Sequence, residues 1–185
     1  MSATASPFGL RPVSHPSGTI RLSQLAGGVA SAYGTALYTN TPIKRHTDGT
    51  LIATATGADE TIGVFAGCEF SSSGKRFVLP YWPAAQTYDA GTMIAYYTSD
   101  PHITYEAQAD GSIALTANGE SINLANTSQG SVYTGQSTQA LTATTTGASA
   151  GTFQIVNLAP YDDNAWGDAY TILRVKISTY QGVVA

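Results

Sequence analysis

Three histidines, one cysteine and one acidic loop are the side chains of this 185-residue chain whose types could do chemistry. His15, His46 and His102 stand far apart, with no partner at i+2 or i+4, and each adjoins a turn residue. That spacing predicts solvated histidines rather than metal ligands. Cys68 is the only cysteine, which excludes an intramolecular disulfide and a cysteine-based metal site. It falls on the apolar face of an alternating run, the place of a small core residue rather than a reactive thiol. In the loop Tyr161-Asp162-Asp163-Asn164-Ala165-Trp166-Gly167-Asp168, the residues Asp162, Asn164 and Gly167 match positions one, three and six of a helix-loop-helix calcium site. Trp166 fills position five and Leu173 stands where glutamate is required, so the motif fails. A looser cation site of Asp162, Asp163 and Asp168 is the alternative to a capped turn, and the capped turn is the expectation. No nucleophile elbow, phosphate loop or dinucleotide fingerprint occurs. These residues predict no catalytic site, no metal and no cofactor. The aromatics Tyr81, Trp82, Tyr96, Tyr97 and Trp166 read as a sugar platform, as core or as protein-interface anchors. Pro80 and Pro83 frame Tyr81 and Trp82 rigidly, which favours an interface anchor.

The elements that must position these residues are strands. From Ile62 to Phe70 and from Lys75 to Trp82 two alternating runs flank a Ser/Gly turn, the signature of a β-hairpin. Ile62, Val64, Ala66, Cys68 and Phe70 share one face of the first run; Gly63, Phe65, Gly67 and Glu69 share the other. Glycines on that second face predict close approach of another backbone, or a bulge. Turn-punctuated strands follow one another from Thr35 onward, among them Leu51 to Ala55, Thr92 to Tyr97, Ile103 to Ala107 and Phe153 to Leu158. Ala169 to Ile177, with Arg174 and Lys176 on one face, reads as an edge strand. Arg21 to Tyr33 allows a helical turn or two, weakened by Gly27 and Gly28. Residues 1–33 are too rich in proline and glycine for regular structure, yet Phe8, Leu10, Val13 and Ile20 supply anchors, so an extended, docked arm is expected. The fold class is therefore all-β, a small β-barrel or sandwich. An N-terminal arm (1–33) precedes a body (34–111), a Thr/Ser/Ala/Gly-rich excursion (112–151) and C-terminal strands completing the body (152–185). The excursion, lacking lysine, arginine and aspartate, predicts loose packing with one or two short strands.

Composition limits the function classes. Charged residues make up 11% of the chain, against about 25% in an ordinary globular protein. So few charges leave a surface weakly defended against association. Through Thr47 there are four basic residues (Arg11, Arg21, Lys44, Arg45) and no acid, +4; the rest sets four basic residues against 12 acids, −8. A basic arm on an acidic body predicts contact with an acidic partner surface, whereas nothing is dense enough for nucleic acid. No apolar run is long enough to span a bilayer, and no secretory pattern opens the chain, so no membrane is implied and folding in a reducing cytoplasm is expected.

Three stretches carry a family resemblance: Ser6-Pro7-Phe8-Gly9-Leu10-Arg11-Pro12-Val13; Val64-Phe65-Ala66-Gly67-Cys68-Glu69-Phe70 with Tyr81-Trp82-Pro83; and Asp163-Asn164-Ala165-Trp166-Gly167-Asp168-Ala169-Tyr170. Together they resemble the capsid decoration (cement) proteins of tailed bacteriophages, over nearly the whole chain. The resemblance implies a non-enzymatic virion protein, made in the host cytoplasm, that binds the outer capsid surface and staples neighbouring major capsid protein subunits. It also implies self-association as a trimer or dimer. On this reading Phe8, Leu10, Arg11 and Val13 anchor the arm, Arg21 adds charge contacts, and Tyr81 and Trp82 are contacts from the body. The rival expectation is a tail or fibre component, or a carbohydrate-binding β-module that attaches to a host glycan.

Overall fold

The computed structural model describes residues 2–126, 129–147 and 151–182. It is all-β, 39% strand and 2% helix, with two antiparallel sheets in the manner of a sandwich rather than a closed barrel. The strands are β1 (Arg11–Ser14), β2 (Ser23–Ala26), β3 (Pro42–Arg45), β4 (Leu51–Ala53), β5 (Gly63–Ser72), β6 (Lys75–Leu79), β7 (Ile94–Tyr97), β8 (Thr104–Gln108), β9 (Ser121–Leu124), β10 (Leu141–Thr145), β11 (Phe153–Leu158) and β12 (Ile172–Ile177). A short 3-10 helix spans Leu115–Ala117. One sheet runs β1-β8-β12-β11-β9-β10; the other runs β2-β7-β5-β3-β4, with β6 also paired to β5.

The expected hairpin is the spine of the second sheet. β5 and β6 pair from Cys68↔Leu79 to Ser72↔Lys75, which leaves a two-residue turn. Both turn residues have positive φ, Ser73 at 52° and Gly74 at 74°, as a turn that follows the strand twist demands. The simple alternation of β5 breaks at a bulge between Phe65 and Gly67 against β7. The extra residue exchanges the faces, so Phe65, Cys68 and Phe70 share one core while Val64 enters the other. Gly63 is where a second backbone comes close: a Cβ there would sit 1.8 Å from the Thr98 carbonyl oxygen. Cys68 is buried, and desolvation pushes its thiol up to about 12.

Each sheet covers a core. Leu10, Ile103, Tyr105, Ile122, Leu141, Phe153 and Leu173 fill the first; Leu37, Ile43, Leu51, Phe65, Phe70 and Trp82 fill the second, and Tyr180 packs against both. Three segments differ from the sequence reading. Arg21 to Tyr33 holds strand β2 and a glycine turn rather than a helix, because its polar backbone groups pair with β7. β12 is interior, flanked by β8 and β11, and the charge on its solvent face is met by a neighbour: Arg174 Nε donates to Glu106 Oε1 at 3.1 Å. Within 112–151, β9 and β10 are integral to the first sheet, and Ile122, Leu124 and Leu141 are buried rather than loosely packed.

Candidate functional site

The N-terminal segment is stitched to its own body. Pro7 and Pro12 hold it extended, and β1 adds to the edge of β8 with Arg11 opposite Glu106 and Pro12 opposite Tyr105. Pro12 has no N–H to donate, and the ladder bulges between Pro12 and Ser14. Upstream, the Gln108 side chain accepts the Ser6 N–H at 2.7 Å and donates to the Thr4 carbonyl at 3.0 Å. Ser2 is buried; its hydroxyl donates to Asp168 Oδ2 at 2.6 Å and its carbonyl accepts the Tyr170 N–H at 2.8 Å. Leu10, expected to fill a partner's pocket, fills this chain's core at 0% exposure. Burial of that side chain is worth about 2 kcal/mol to the fold. Phe8 and Val13 are half-buried, whereas Arg11 and Arg21 are exposed.

Glu106 organises this region. It is 3% exposed, yet it accepts hydrogen bonds from Arg11 Nη2 at 2.8 Å, Tyr161 Oη at 2.6 Å and Arg174 Nε at 3.1 Å. Burial alone would push its carboxyl up, but the three donors together hold it below the usual carboxylate range. The Arg11 guanidinium also lies 5.0 Å from the centre of the Phe8 ring and bonds the Tyr161 hydroxyl. A cleft of about 540 Å³ opens beside this group, lined by Phe8, Arg11, Gln108, Tyr161 and Gln136 among others. A carboxylate matched by two guanidinium groups is a brace, and the cleft's donors and half-buried ring are recognition chemistry.

Gln136 leads to an exposed feature that the sequence reading passed over. Residues 130–137 form a turn pinned at its base: the Thr39 N–H donates to Gly135 O at 2.9 Å, the Ser137 N–H to Thr39 O at 3.0 Å and the Ser131 N–H to Gln136 O at 3.0 Å. Gly130 lies against the Tyr38 ring and Gly135 against Pro80 and Tyr81, with no room for a Cβ at either. The tip of this turn lifts Val132 and Tyr133 into solvent at 54% and 97% exposure. The available signal was a bulky pair enclosed by Gly130 and Gly135 inside an otherwise small, polar stretch. Tyr81 is half-buried beneath the turn and stacks on Tyr38 at 5.8 Å. Trp82, expected as an interface anchor, is enclosed at 0% exposure between Phe70 and Tyr88, because a bridge to Leu37 turns the chain inward there.

No family model, no curated protein and no solved structure matches this chain. The turn of residues 130–137 borders both features: Gln136 lines the cleft of Phe8 and Arg11, and Gly135 packs against Pro80 and Tyr81. The acidic loop caps itself as expected: Asp168 Oδ2 accepts the Ala165 N–H at 2.7 Å, and the buried Asn164 amide bonds the backbone of Ala159 and Ile172. Ser2 and Ala165 hold the Asp168 carboxyl below its usual range. His46 and His102 are exposed, as expected, but the histidines are not all far apart. His46 pairs with Asp48 at 3.0 Å, but His15 and His102, 87 positions apart in the chain, meet across Asp100. Among the described residues this is the group whose ligand atoms could hold a metal ion.

Proposed function

We propose that this chain is a non-enzymatic structural protein of a phage virion that binds the outer capsid surface and staples neighbouring major capsid protein subunits. The observation that carries the reading is the rigidly mounted tip of Val132 and Tyr133, beside the cleft of Phe8 and Arg11. A large amphipathic ring held out on a pinned turn loses little entropy on docking, which is what an interface anchor requires. The sequence resemblance points the same way, and a surface with few charges suits life within an assembly. Self-association would multiply such modest contacts through effective concentration.

Co-sedimentation of the purified chain with expanded, undecorated shells tests the proposal. Saturable binding at a copy number set by icosahedral symmetry, with a raised shell melting temperature, is the expected outcome. Tyr133→Ala should weaken binding by roughly tenfold or more while leaving the melting temperature of the isolated chain unchanged, since the ring touches little of its own fold. Substitution is preferred to removal of the N-terminal segment, because losing Leu10 would disturb the core as well as the surface. Absence of shell binding together with retention on a host glycan, abolished by Tyr133→Ala, would replace this reading with that of a carbohydrate-binding module.

A further inference from the structure

We propose that His15, Asp100 and His102 form a binding site for a divalent transition-metal ion of the zinc class, which clips the segment after β1 to the β7–β8 turn. Their ligand atoms all lie within 4.8 Å of one another. His15 Nε2 is 3.1 Å from Asp100 Oδ2, and His102 Nδ1 is 3.2 Å from Asp100 Oδ1. Bonds of about 2.0–2.1 Å to nitrogen and oxygen place neighbouring ligands of a tetrahedral ion about 3.3 Å apart, so each histidine–carboxylate edge already has coordination length, His15 to Oδ2 and His102 to Oδ1. His102, 72% exposed on its turn, has room to rotate and shorten the third. Two imidazoles and a carboxylate suit zinc, cobalt or nickel rather than calcium or magnesium, which prefer oxygen throughout.

Both halves of the site are held in place before an ion arrives. The His102 N–H donates to Asp100 Oδ1 at 2.8 Å, which fixes the carboxylate over its own turn. On the other side, the Ser17 N–H donates to His15 Nδ1 at 3.1 Å, directing Nε2 at Asp100. A metal on Nε2 moves the imidazole proton to Nδ1, which gives up the Ser17 N–H and donates instead to Ser17 Oγ, already 2.7 Å away, as the outer partner of a metal-bound histidine does. A cleft of about 290 Å³ beside the group, lined by Ser17, Thr19 and Arg21, leaves space for a water as the fourth ligand. Arg21, the one lysine or arginine among the described residues lining it, is exposed, so solvent screens its repulsion.

The ion would bind the folded chain alone, because the two histidines converge only there, and so would stabilise it by mass action. The test uses the full-length, tag-free chain after chelator treatment, titrated with Zn²⁺ by calorimetry and with Co²⁺ by visible absorption. The expected result is one ion per chain, a d–d spectrum of low-coordinate Co²⁺, and a melting temperature raised by roughly 5–10 °C at about a hundredfold excess of Zn²⁺ over Kd. His102→Ala, at an exposed position that folding does not need, should weaken binding at least tenfold, as should His15→Ala; His46→Ala should leave it unchanged. No saturable binding by about 1 mM Zn²⁺, or binding that survives His102→Ala and His15→Ala together, would overturn the proposal.

Discussion

At the scale of single residues, Glu106 shows how a buried charge becomes tolerable here. Its three donors come from the N-terminal segment, the acidic loop and β12, so one carboxylate joins parts of the chain that are remote in sequence. Replacing it with glutamine keeps the shape but loses the charge, and should cost about 1–3 kcal/mol at neutral pH by urea denaturation. The pH dependence follows from the depressed carboxyl. A group whose folded-state pKa lies below its unfolded value, near 4.3 for glutamate, contributes stability that is fully present above that unfolded value and is lost as pH falls through the folded one. The melting temperatures of the native chain and Glu106→Gln should therefore differ most near pH 7 and converge below about pH 4. A gap that stays constant down to pH 2.5 would show that the charge of Glu106 contributes nothing.

Elements meet most closely where β5 passes the end of β7. Val64 N–H donates to Thr98 Oγ1 at 3.0 Å while the Thr98 N–H donates to Val64 O at 2.9 Å, which draws the two backbones together over Gly63. Gly63→Ala forces its methyl into the Thr98 carbonyl and should cost more than about 3 kcal/mol. Gly74→Ala, at a positive φ but with open space around it, should cost about 1–2 kcal/mol, the ordinary penalty of a left-handed residue. Equal shifts in the two urea midpoints would mean that the contact at Gly63 relaxes. The hairpin, its turn and the close approach were legible because each rests on local chemistry: alternation, Ser73-Gly74, and glycine where a strand pattern expects a side chain. The interior place of β12 was not, because Arg174 and Lys176 look like edge charges until Glu106 is brought beside one of them. The meeting of His15 with His102 was likewise hidden, since it depends on β1 pairing with β8, a long-range contact that leaves no trace in spacing. Trp82 was misread for a related reason: its framing prolines signal rigidity but not which way the ring turns.

For the whole molecule the decisive quantity is how few charges the chain carries and where its cations sit. Of the eight lysines and arginines, Arg11, Lys44, Arg76 and Arg174 each lie within 3.1 Å of a carboxylate oxygen. Half of the +4 of the N-terminal part, Arg11 and Lys44, is thus matched within the fold by Glu106 and Asp59, which leaves Arg21 and Arg45 without a carboxylate among the ion pairs of the described residues. What the surface offers is Tyr133, Val132, Val78, Leu115 and Leu22, spaced apolar groups each more than half exposed. Association through such groups depends on area removed from water, which salt screens little, whereas association through opposed charges weakens as the screening length contracts. Shell binding should accordingly change by less than about threefold between about 50 and about 500 mM NaCl. The measurement is the half-saturation concentration in the co-sedimentation assay at both salts. A loss of about tenfold or more would return the contact to Arg11 and Arg21. Near-constant affinity, combined with loss on Tyr133→Ala, would place the contact on the pinned turn and make the N-terminal segment its structural support.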